Sequence, residues 1–368
     1  MKIGILTFHF NPNFGARLQC MALQKVLEQI GHNVEVINYR PVPETPLRFW
    51  RGWGLTSGNI ASSVRQRWRL LRHGEAARER FRRFNQEHLR ISPCCDSLPS
   101  IAKLASSFDV IIVGSDQVWN RSYFQDPAYF LDFAGYPGKR ISYAACCGHL
   151  DMPQAGMESV RRALQAFNAI SVRNEVTFEW VQKLSGLTPQ IVCDPTLLYD
   201  FPELATPSIA PCHRYILAYV LDEEIKGGHV QAIEQIRQKF GDIPVIAVSP
   251  ILMHLQAYPW ADHVVFDVGP AEWVNLIANA AFVYTDSFHG ALFSMKHQRP
   301  FLAYYSKPIR AGRLCDIANR YGIDSAIVGS LGEAEKKQSF CASLNYECIQ
   351  KKISKHREES ISFLQKSI

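Results

Sequence analysis

The stretch KIGILTFHFNPNFGARLQCMALQKVLEQIGHNVEVINY, residues 2–39, decides the fold class. It opens with an apolar run at 2–8, which is typical of a buried strand. A polar loop follows, and then apolar residues recur at helical spacing until Gly31: Leu18, Met21, Ala22, Val26 and Ile30. A second strand-like run occupies residues 33–39. Strand, helix and strand in this order form the unit of a parallel sheet.

The same alternation continues along the chain and predicts an α/β protein with mostly parallel sheets. Further strand-like runs occur at 109–115, 140–146, 169–174, 190–196, 215–221, 244–250, 263–269, 282–288 and 300–306. A proline-containing stretch without periodicity, residues 199–213, is typical of a linker. We therefore predict two Rossmann-like domains, at 1–205 and 206–342, and a closing amphipathic helix within 343–368. Ligands of such sheets bind at the carboxyl ends of strands, so we expect the site in the cleft between the domains.

The composition is that of a folded globular protein. The chain has 368 residues, 47% of them hydrophobic and 20% charged. No uncharged apolar run approaches the roughly 20 residues that span a bilayer. The N-terminal segment lacks the basic region and cleavage site of a signal peptide, so we expect a cytoplasmic protein. Ten cysteines without a C-x-x-C pair favour reduced thiols, and we expect no metal and no cofactor.

The positive charge is concentrated in a basic helical insertion, residues 48–90. This segment holds eleven arginines and three glutamates, a net +8, so the rest of the +6 chain is near −2. Three interpretations stay open: a solvated arginine face, RNA binding through arginines and aromatic residues, and attraction to anionic lipid headgroups. Of the functional interpretations we prefer peripheral contact with an anionic membrane, at the inner face of the cell membrane, and we expect no nucleic-acid partner.

Polar clusters follow five of the strand-like runs. Each alone could be a turn or a helix cap. Five clusters at one kind of position favour a shared cleft. Their members are Asn11, Asn13, Gly15 and Arg17 after the first strand, Ser115, Asp116, Gln117, Trp119 and Asn120 after residues 109–115, Arg173, Asp194, and finally Asp286, Ser287 and His289.

His289 is the sharpest candidate for chemistry. A neutral imidazole with a pKa of about 6.5 can take or give a proton at cellular pH. Asp286, three positions earlier, could orient it or act separately, and Gly290 permits close approach of backbone or ligand. The alternative is a core histidine that donates to a backbone carbonyl. The sequence has no G-x-S-x-G, P-loop or G-x-G-x-x-G motif, which disfavours serine hydrolases and NAD enzymes.

These motifs resemble the polysaccharide pyruvyl transferase family. The matches occur in the family's order over about residues 3–306: GILT with NPNFGARLQCMALQ, DVIIVGSDQVWN, ISYAACCG, SVRNE, DPTLL and PAEWVNLIANAAFVYTDSFHGALFS. The resemblance implies a GT-B-like fold, in which two Rossmann-like domains face each other across a cleft. It also implies transfer of pyruvate from phosphoenolpyruvate to two hydroxyls of a sugar. The product would be a cyclic ketal on a cell-surface polysaccharide or its lipid-linked precursor.

The resemblance also implies roles for individual residues. Arg173 matches an arginine that contacts the donor, and His289 matches the histidine of an R-x-H-type donor motif, where this chain has Ser287 instead of the arginine. Arg310, Arg313 or Arg17 could supply that missing cation. We expect His289 and Asp286 to be catalytic. The expected donor ligands are Arg173, Ser287, Gly290, Arg310 and Arg313, and the expected acceptor ligands are Asn13, Arg17, Asp116, Gln117, Trp119 and Asn120.

The expected partners are therefore phosphoenolpyruvate and a sugar or lipid-linked oligosaccharide acceptor. The alternative is a GT-B-type glycosyltransferase that uses a sugar nucleotide, which would share the fold and the cleft.

Overall fold

The structure is a computed structural model. It describes residues 1–40, 60–120, 126–149, 156–205, 207–221, 224–250, 252–253, 257–340 and 343–368, with backbone alone at 60–67 and 308–310. In this described part of the chain, no helix combines the length and the apolar character needed to cross a membrane.

Two six-stranded sheets organise the chain, and every strand pair in both is parallel. The first sheet has the order β2-β1-β3-β4-β5-β6 and contains β1 (Lys2–Leu6), β2 (Asn33–Val36), β3 (Val110–Val113), β4 (Lys139–Ala145), β5 (Ala169–Val172) and β6 (Gln190–Ile191). The second has the order β12-β11-β10-β7-β8-β9 and contains β7 (Ile216–Tyr219), β8 (Val245–Val248), β9 (His263–Val265), β10 (Phe282–Thr285), β11 (Phe301–Tyr304) and β12 (Ile327–Val328).

Helices cover both sheets, as continuous apolar strands such as β3 require. In chain order they are α1 (Phe14–Gln29), α2 (Ile60–His88), α3 (Leu98–Ala105), α4 (Met157–Gln165), α5 (Glu175–Ser185), α6 (His229–Phe240), α7 (Pro270–Asn279), α8 (Phe288–Lys296), α9 (Pro308–Tyr321), α10 (Leu331–Lys336) and α11 (Tyr346–Ser367). The predicted strand–helix–strand unit at the start of the chain is confirmed as β1, α1 and β2.

Strands end earlier than the apolar runs suggested, because polar side chains take over at their carboxyl ends. The run at 282–288 is a strand only as far as Thr285, since Ser287 already caps α8. The run at 190–196 is a strand only at Gln190–Ile191, and Asp194 then caps a short 3₁₀ turn. These early endings leave the polar clusters in loops at one edge of each sheet.

Both sheets have the switch in strand order at which doubly wound proteins bind ligands. The switch lies between β1 and β3 in the first sheet and between β7 and β10 in the second. The two sheets meet near these edges, where Phe14 of α1 stacks on Trp273 of α7 with ring centroids 5.6 Å apart. The prediction of two facing Rossmann-like domains is therefore confirmed, while the predicted boundaries at 205/206 and 342/343 stay predictions.

We call the parts of the protein built on the first and the second sheet the first half and the second half. The closing helix α11 contacts both halves. Its Ser360 hydroxyl accepts the Cys193 N–H at 3.0 Å, beyond β6 of the first sheet. The His356 Nδ1 lies 2.9 Å from the hydroxyl of Tyr321 in α9. A helix at the C-terminus was predicted, and α11 confirms it.

The basic insertion is described only from residue 60 onward, so Arg48 and Arg51 lie outside the described residues. Its helix α2 buries Ala77, Phe81 and Phe84. Phe81 stacks on Phe14 of the first half at 5.5 Å, and Arg80 forms an ion pair with Glu272 of the second half. The helix therefore bridges the two halves through one face.

Candidate active site

The centre of the site is a buried line of three charged or titratable side chains. Arg173 follows β5, Asp194 follows β6, and His289 lies in the first turn of α8. Arg173 Nη1 donates to Asp194 Oδ2 at 2.8 Å, and His289 Nε2 lies 3.6 Å from the same oxygen. The three residues are 4%, 3% and 7% exposed. One carboxylate oxygen thus connects a cation of the first half with an imidazole of the second.

Asp194 is held as an anion. Its Oδ1 accepts from the N–H and the hydroxyl of Thr196 at 3.0 and 2.8 Å, and Ser115 Oγ donates to Oδ2 at 3.4 Å. Burial works against ionisation, but His289 and Arg173 more than offset it, so the pKa of Asp194 lies well below its usual range. This carboxylate can therefore stabilise a positive charge on the imidazole.

A glycine of the first half makes room for the imidazole. A Cβ atom on Gly15, in the first turn of α1, would lie 2.1 Å from His289 Nδ1, which is far inside contact distance. Within the described residues, His289 Nε2 makes no hydrogen bond and faces Asp194 instead. The interpretation as a core histidine that donates to a backbone carbonyl finds no support in these contacts.

Ser287 and Gly290, which lie close to His289 in the sequence, have structural roles. Ser287 caps α8, because its hydroxyl accepts the Gly290 N–H at 3.2 Å. A Cβ on Gly290 would lie 2.5 Å from Thr285 Oγ1, so packing of α8 against β10 accounts for this glycine. Neither feature points to a ligand, and the predicted donor contacts of these two residues gain no support.

Asp286 contacts the end of a neighbouring strand, and its expected role beside His289 stays a prediction. Its Oδ1 accepts the N–H of Leu221 at 2.7 Å, which joins the carboxyl ends of β7 and β10. Asp194 lies at ion-pair distance from His289, although 95 positions separate the two residues. The sequence signal for Asp194 was its place at a strand end before Pro195, which was not enough to rank it among the site residues.

Two arginines, one from each half, flank the ring of Phe288. The Arg173 guanidinium lies 4.6 Å from the ring centroid and the Arg313 guanidinium 5.7 Å from it. Arg173 Nη2 also donates to Asp116 Oδ1 at 3.4 Å. With its amide oxygen turned to Arg313, Gln117 accepts hydrogen bonds from that guanidinium at 3.2 and 3.3 Å. We call Arg173, Asp194 and His289 the central line. Beside its predicted member Arg173 lie three more of the predicted residues: Asp116, Gln117 and Arg313.

Arg17 bonds to the loop after β1 and to α2, so its expected role as a substrate ligand gains no support from these contacts. Its guanidinium donates to the carbonyls of Phe10 and Asn11 at 2.9 and 3.1 Å and to the Asn85 side chain at 2.5 Å. Burial lowers its pKa to about 10, so it stays charged at neutral pH. Asn13 caps α1 through the Ala16 N–H at 3.0 Å. Both residues shape the loop after β1.

Trp119 belongs to a hydrophobic core, and its expected role as an acceptor ligand gains no support there. Its side chain is 0% exposed, and its ring stacks on Phe130 at 5.7 Å. The indole N–H donates to the Tyr129 carbonyl at 2.9 Å. Asn120 is also buried, close to Gly148. Arg310 lies in α9, but its side chain is outside the described part of the chain.

No metal centre accompanies these residues in the described ranges, where no group of three or more His, Cys, Asp or Glu side chains could hold an ion. The site is built instead from arginines, one histidine and buried carboxylates. This set suits an anionic ligand and proton transfer.

Two doubly wound sheets that meet at their carboxyl edges, with charged side chains between them, define a GT-B-like protein. Solved structures agree over nearly the whole chain. The UDP-GlcNAc 2-epimerase of Methanocaldococcus jannaschii has a TM-score of 0.51 and 14% identity, over 94% of this chain and 93% of that chain. The Neisseria meningitidis UDP-GlcNAc 2-epimerase bound to UDP-GlcNAc has a TM-score of 0.51 and 10% identity, over 100% of both chains. Arabidopsis thaliana UGT89C1 complexed with UDP-L-rhamnose has a TM-score of 0.51 and 12% identity, over 99% of this chain and 97% of that chain.

At these identities the likeness shows the fold alone. The chain belongs to the polysaccharide pyruvyl transferase family, whose model matches residues 13–308. The resemblance inferred from the motifs is thereby confirmed, and membership implies that the chain is a transferase enzyme. A search of curated proteins finds no match.

Proposed function

We propose that this enzyme transfers pyruvate from phosphoenolpyruvate to two hydroxyls of one sugar and forms a cyclic ketal. The sugar belongs to a cell-surface polysaccharide or to its lipid-linked precursor. The observation that carries the proposal is the buried line of Arg173, Asp194 and His289 across the two halves. It combines a fixed cation for an anionic donor with an imidazole whose protonated form has a carboxylate beside it.

The donor carries a phosphate and a carboxylate, so its site needs more than one cation. Arg173 supplies one of them. Arg313 supplies the second and substitutes for the arginine that the family motif has at the position of Ser287. This assignment is supported by Phe288, the residue between Ser287 and His289, since both guanidinium groups lie over its ring. A long side chain from α9 would then deliver the charge that a short serine cannot.

Protonated His289 gives its proton to the methylene carbon of phosphoenolpyruvate, which makes the adjacent carbon electrophilic. A sugar hydroxyl attacks that carbon, and its proton returns to the imidazole. The second hydroxyl then attacks the same carbon, the C–O bond to phosphate breaks, and inorganic phosphate leaves with the second hydroxyl proton. Asp194 stabilises the imidazolium before and after each transfer, and Arg173 with Arg313 stabilises the departing phosphate.

Acceptor binding falls to the first half in this proposal. Asp116 and Gln117 follow β3, next to Arg173. Their carboxylate and amide groups are suited to hydrogen bonds with sugar hydroxyls. The alternative, a glycosyltransferase using a sugar nucleotide, would place a nucleoside diphosphate in the same cleft.

Ligand protection in a thermal shift assay separates the two candidates. A ligand at about 100 times its Kd stabilises a folded protein by about 2.7 kcal/mol. We expect phosphoenolpyruvate to raise the Tm of the wild type but not of Arg173→Gln, and UDP-sugars to leave both unchanged. Protection by a UDP-sugar, without protection by phosphoenolpyruvate, would instead support the glycosyltransferase.

A further inference from the structure

The outer face of α2 exposes two large apolar side chains beside an arginine. Trp68 is 55% exposed and Leu71 is 82% exposed. The guanidinium of Arg72 lies 5.1 Å from the centroid of the Trp68 ring. We call these three residues the α2 patch. Spacings of three and four residues place them on one face of the helix.

The helix that carries the patch is firmly seated. Its opposite face buries Ala77, Phe81 and Phe84 between the two halves of the protein. Nearer the patch, Arg69 lies over the ring of Phe266 at 5.4 Å, just beyond β9. Trp68 and Leu71 lie away from this inner face and stay exposed, and apolar side chains exposed together on one face are typical of an interaction surface.

Charge along α2 is distributed unequally. The carboxyl-terminal part compensates its arginines: Arg78 pairs with Glu75 at 3.1 Å and Arg83 with Glu87 at 2.7 Å. Residues 45–74, by contrast, contain no aspartate or glutamate and six arginines, at 48, 51, 65, 67, 69 and 72. Arg72 is exposed and, among the described residues, has no carboxylate at ion-pair distance. Of these arginines, Arg72 has a described position beside the exposed apolar pair, with its guanidinium over the Trp68 ring.

We propose that the α2 patch docks this protein on an anionic lipid surface. Indole rings favour the headgroup region, aliphatic side chains such as Leu71 enter the boundary of the acyl chains, and arginines bind lipid phosphates. A single-stranded nucleic acid fits less well, because a leucine offers no ring on which a base can stack. The docking goes beyond the proposed transfer reaction and does not depend on it.

Docking through this face has a geometric consequence for the enzyme. Through Phe81 and Arg80, α2 contacts Phe14 of the first half and Glu272 of the second, so a lipid surface at the patch would be held by a helix that touches both halves. An acceptor carried on a lipid would be concentrated at that surface. This last point alone rests on the proposed function.

Cosedimentation with lipid vesicles tests the docking without any substrate. The full-length protein is mixed with vesicles of phosphatidylcholine containing phosphatidylglycerol, and with vesicles of phosphatidylcholine alone. We expect binding to the anionic vesicles that weakens with salt. The double variant Trp68→Ser, Leu71→Ser should bind at least about tenfold more weakly, and Arg72→Gln about fivefold more weakly, as loss of one interfacial arginine predicts.

Two variants serve as matched controls. Val230→Ser removes an apolar side chain that is 50% exposed on α6, and Arg82→Gln removes an arginine that pairs with Glu75 on the same helix. Both should bind vesicles like the wild type. Equal binding by the wild type and the Trp68/Leu71 variant, or equal binding to both vesicle types, would overturn the proposal. Binding to a single-stranded RNA probe without binding to vesicles would also overturn it and assign the patch to nucleic acid.

A failure of the lipid docking can be distinguished from a failure of the proposed transfer reaction. Phosphoenolpyruvate protection in the thermal shift assay should be the same for the wild type and the Trp68/Leu71 variant, because the α2 patch does not contact the central line. If the Trp68/Leu71 variant loses vesicle binding but phosphoenolpyruvate still raises its Tm, the lipid docking is supported separately from the transfer reaction.

Discussion

His289 Nε2 and Asp194 Oδ2 lie 3.6 Å apart although they follow strands of different sheets. The same oxygen accepts from Arg173 Nη1 at 2.8 Å. An imidazole that gains a proton is therefore stabilised by a carboxylate that already neutralises a buried arginine. The contact also joins the two halves, so chemistry at His289 depends on how the sheets meet.

Replacement of Asp194 by asparagine keeps its shape and removes its charge. Protonated His289 and buried Arg173 then both lose their counterion. We expect the transfer rate to fall by at least about 100-fold, the lower end of acid–base contributions. Loss of a buried ion-pair partner should also lower the free energy of unfolding by about 3 kcal/mol. Initial rates and urea unfolding measure the two effects.

Asp242→Asn is the control for this change, because the Asp242 side chain is 95% exposed and its pair with Arg237 is a surface contact. It should alter neither quantity appreciably. An Asp194→Asn enzyme with wild-type kinetics would show that His289 does not need this carboxylate.

Alanine at position 15 should act on His289 from the other half of the protein. The new Cβ would lie 2.1 Å from Nδ1, so the ring must move. A displacement of about 1 Å at a catalytic group costs about 100-fold in rate. Alanine also favours a helix by up to about 1 kcal/mol over glycine, which limits the loss of stability.

The control for position 15 is Gly332→Ala in α10, where an added Cβ would meet nothing within 4 Å. Activity and Tm should both stay at wild-type values there. If Gly15→Ala retains full activity, the imidazole is mobile enough to tolerate the methyl group and its tight placement is not required.

His289→Ala should abolish pyruvyl transfer, because the proposed reaction passes its protons through the imidazole that lies beside Asp194. The Tm should stay within a few degrees, since the Nε2 atom of the ring has no hydrogen-bond partner among the described residues. His213→Ala, at an exposed position, is the control. A large drop in Tm with residual transfer would favour a structural histidine.

Arg313→Gln separates donor binding from the other duties of the site. We expect the KM for phosphoenolpyruvate to rise by about tenfold or more, since a charge-assisted hydrogen bond contributes about 1.5–3 kcal/mol. Arg320→Gln, on the same helix and paired with Asp316 at 3.1 Å, is the matched control and should leave the KM unchanged. An unchanged KM in Arg313→Gln would leave Ser287 without the proposed substitute.

Acid should destabilise the fold through His356. Burial, aided by Arg320, lowers the pKa of this histidine from 6.5 to about 4. Between these values the unfolded chain binds a proton that the folded chain does not, so stability falls as the pH drops. The slope approaches 1.4 kcal/mol per pH unit at most, an approximate limit for one group.

Urea unfolding between pH 7 and pH 4 measures this slope. His356→Gln should reduce this slope by the share of one group, because burial also lowers the pKa of His9 and of His297 to about 4, whereas the exposed His213→Gln should leave the slope unchanged. Equal slopes in the wild type and His356→Gln would mean that other groups govern acid sensitivity.

Much of the architecture was predictable because burial leaves periodic traces in the sequence. The residues 2–39 that predicted a parallel unit fold as one, and each strand-like run contains a strand of the sheets. The predictions were less accurate at strand ends, where one strand-like run contains both buried residues and residues that cap the next helix. Trp119 is such a case: its place after β3 resembles that of Asp116, but its side chain points into the core.

The sequence by itself determined the alternation of strands and helices and the carboxyl-end position of the polar residues, and it made His289 and Arg173 candidates for the site. Tertiary structure alone decided which of these residues meet. It brought Asp194 to His289, set Gly15 against the imidazole, directed Arg17 to the loop after β1 and placed Arg313 over Phe288. Periodicity records which side of an element is buried, a local property. The pairing of loops from two sheets depends on how the sheets pack, and no local pattern records that.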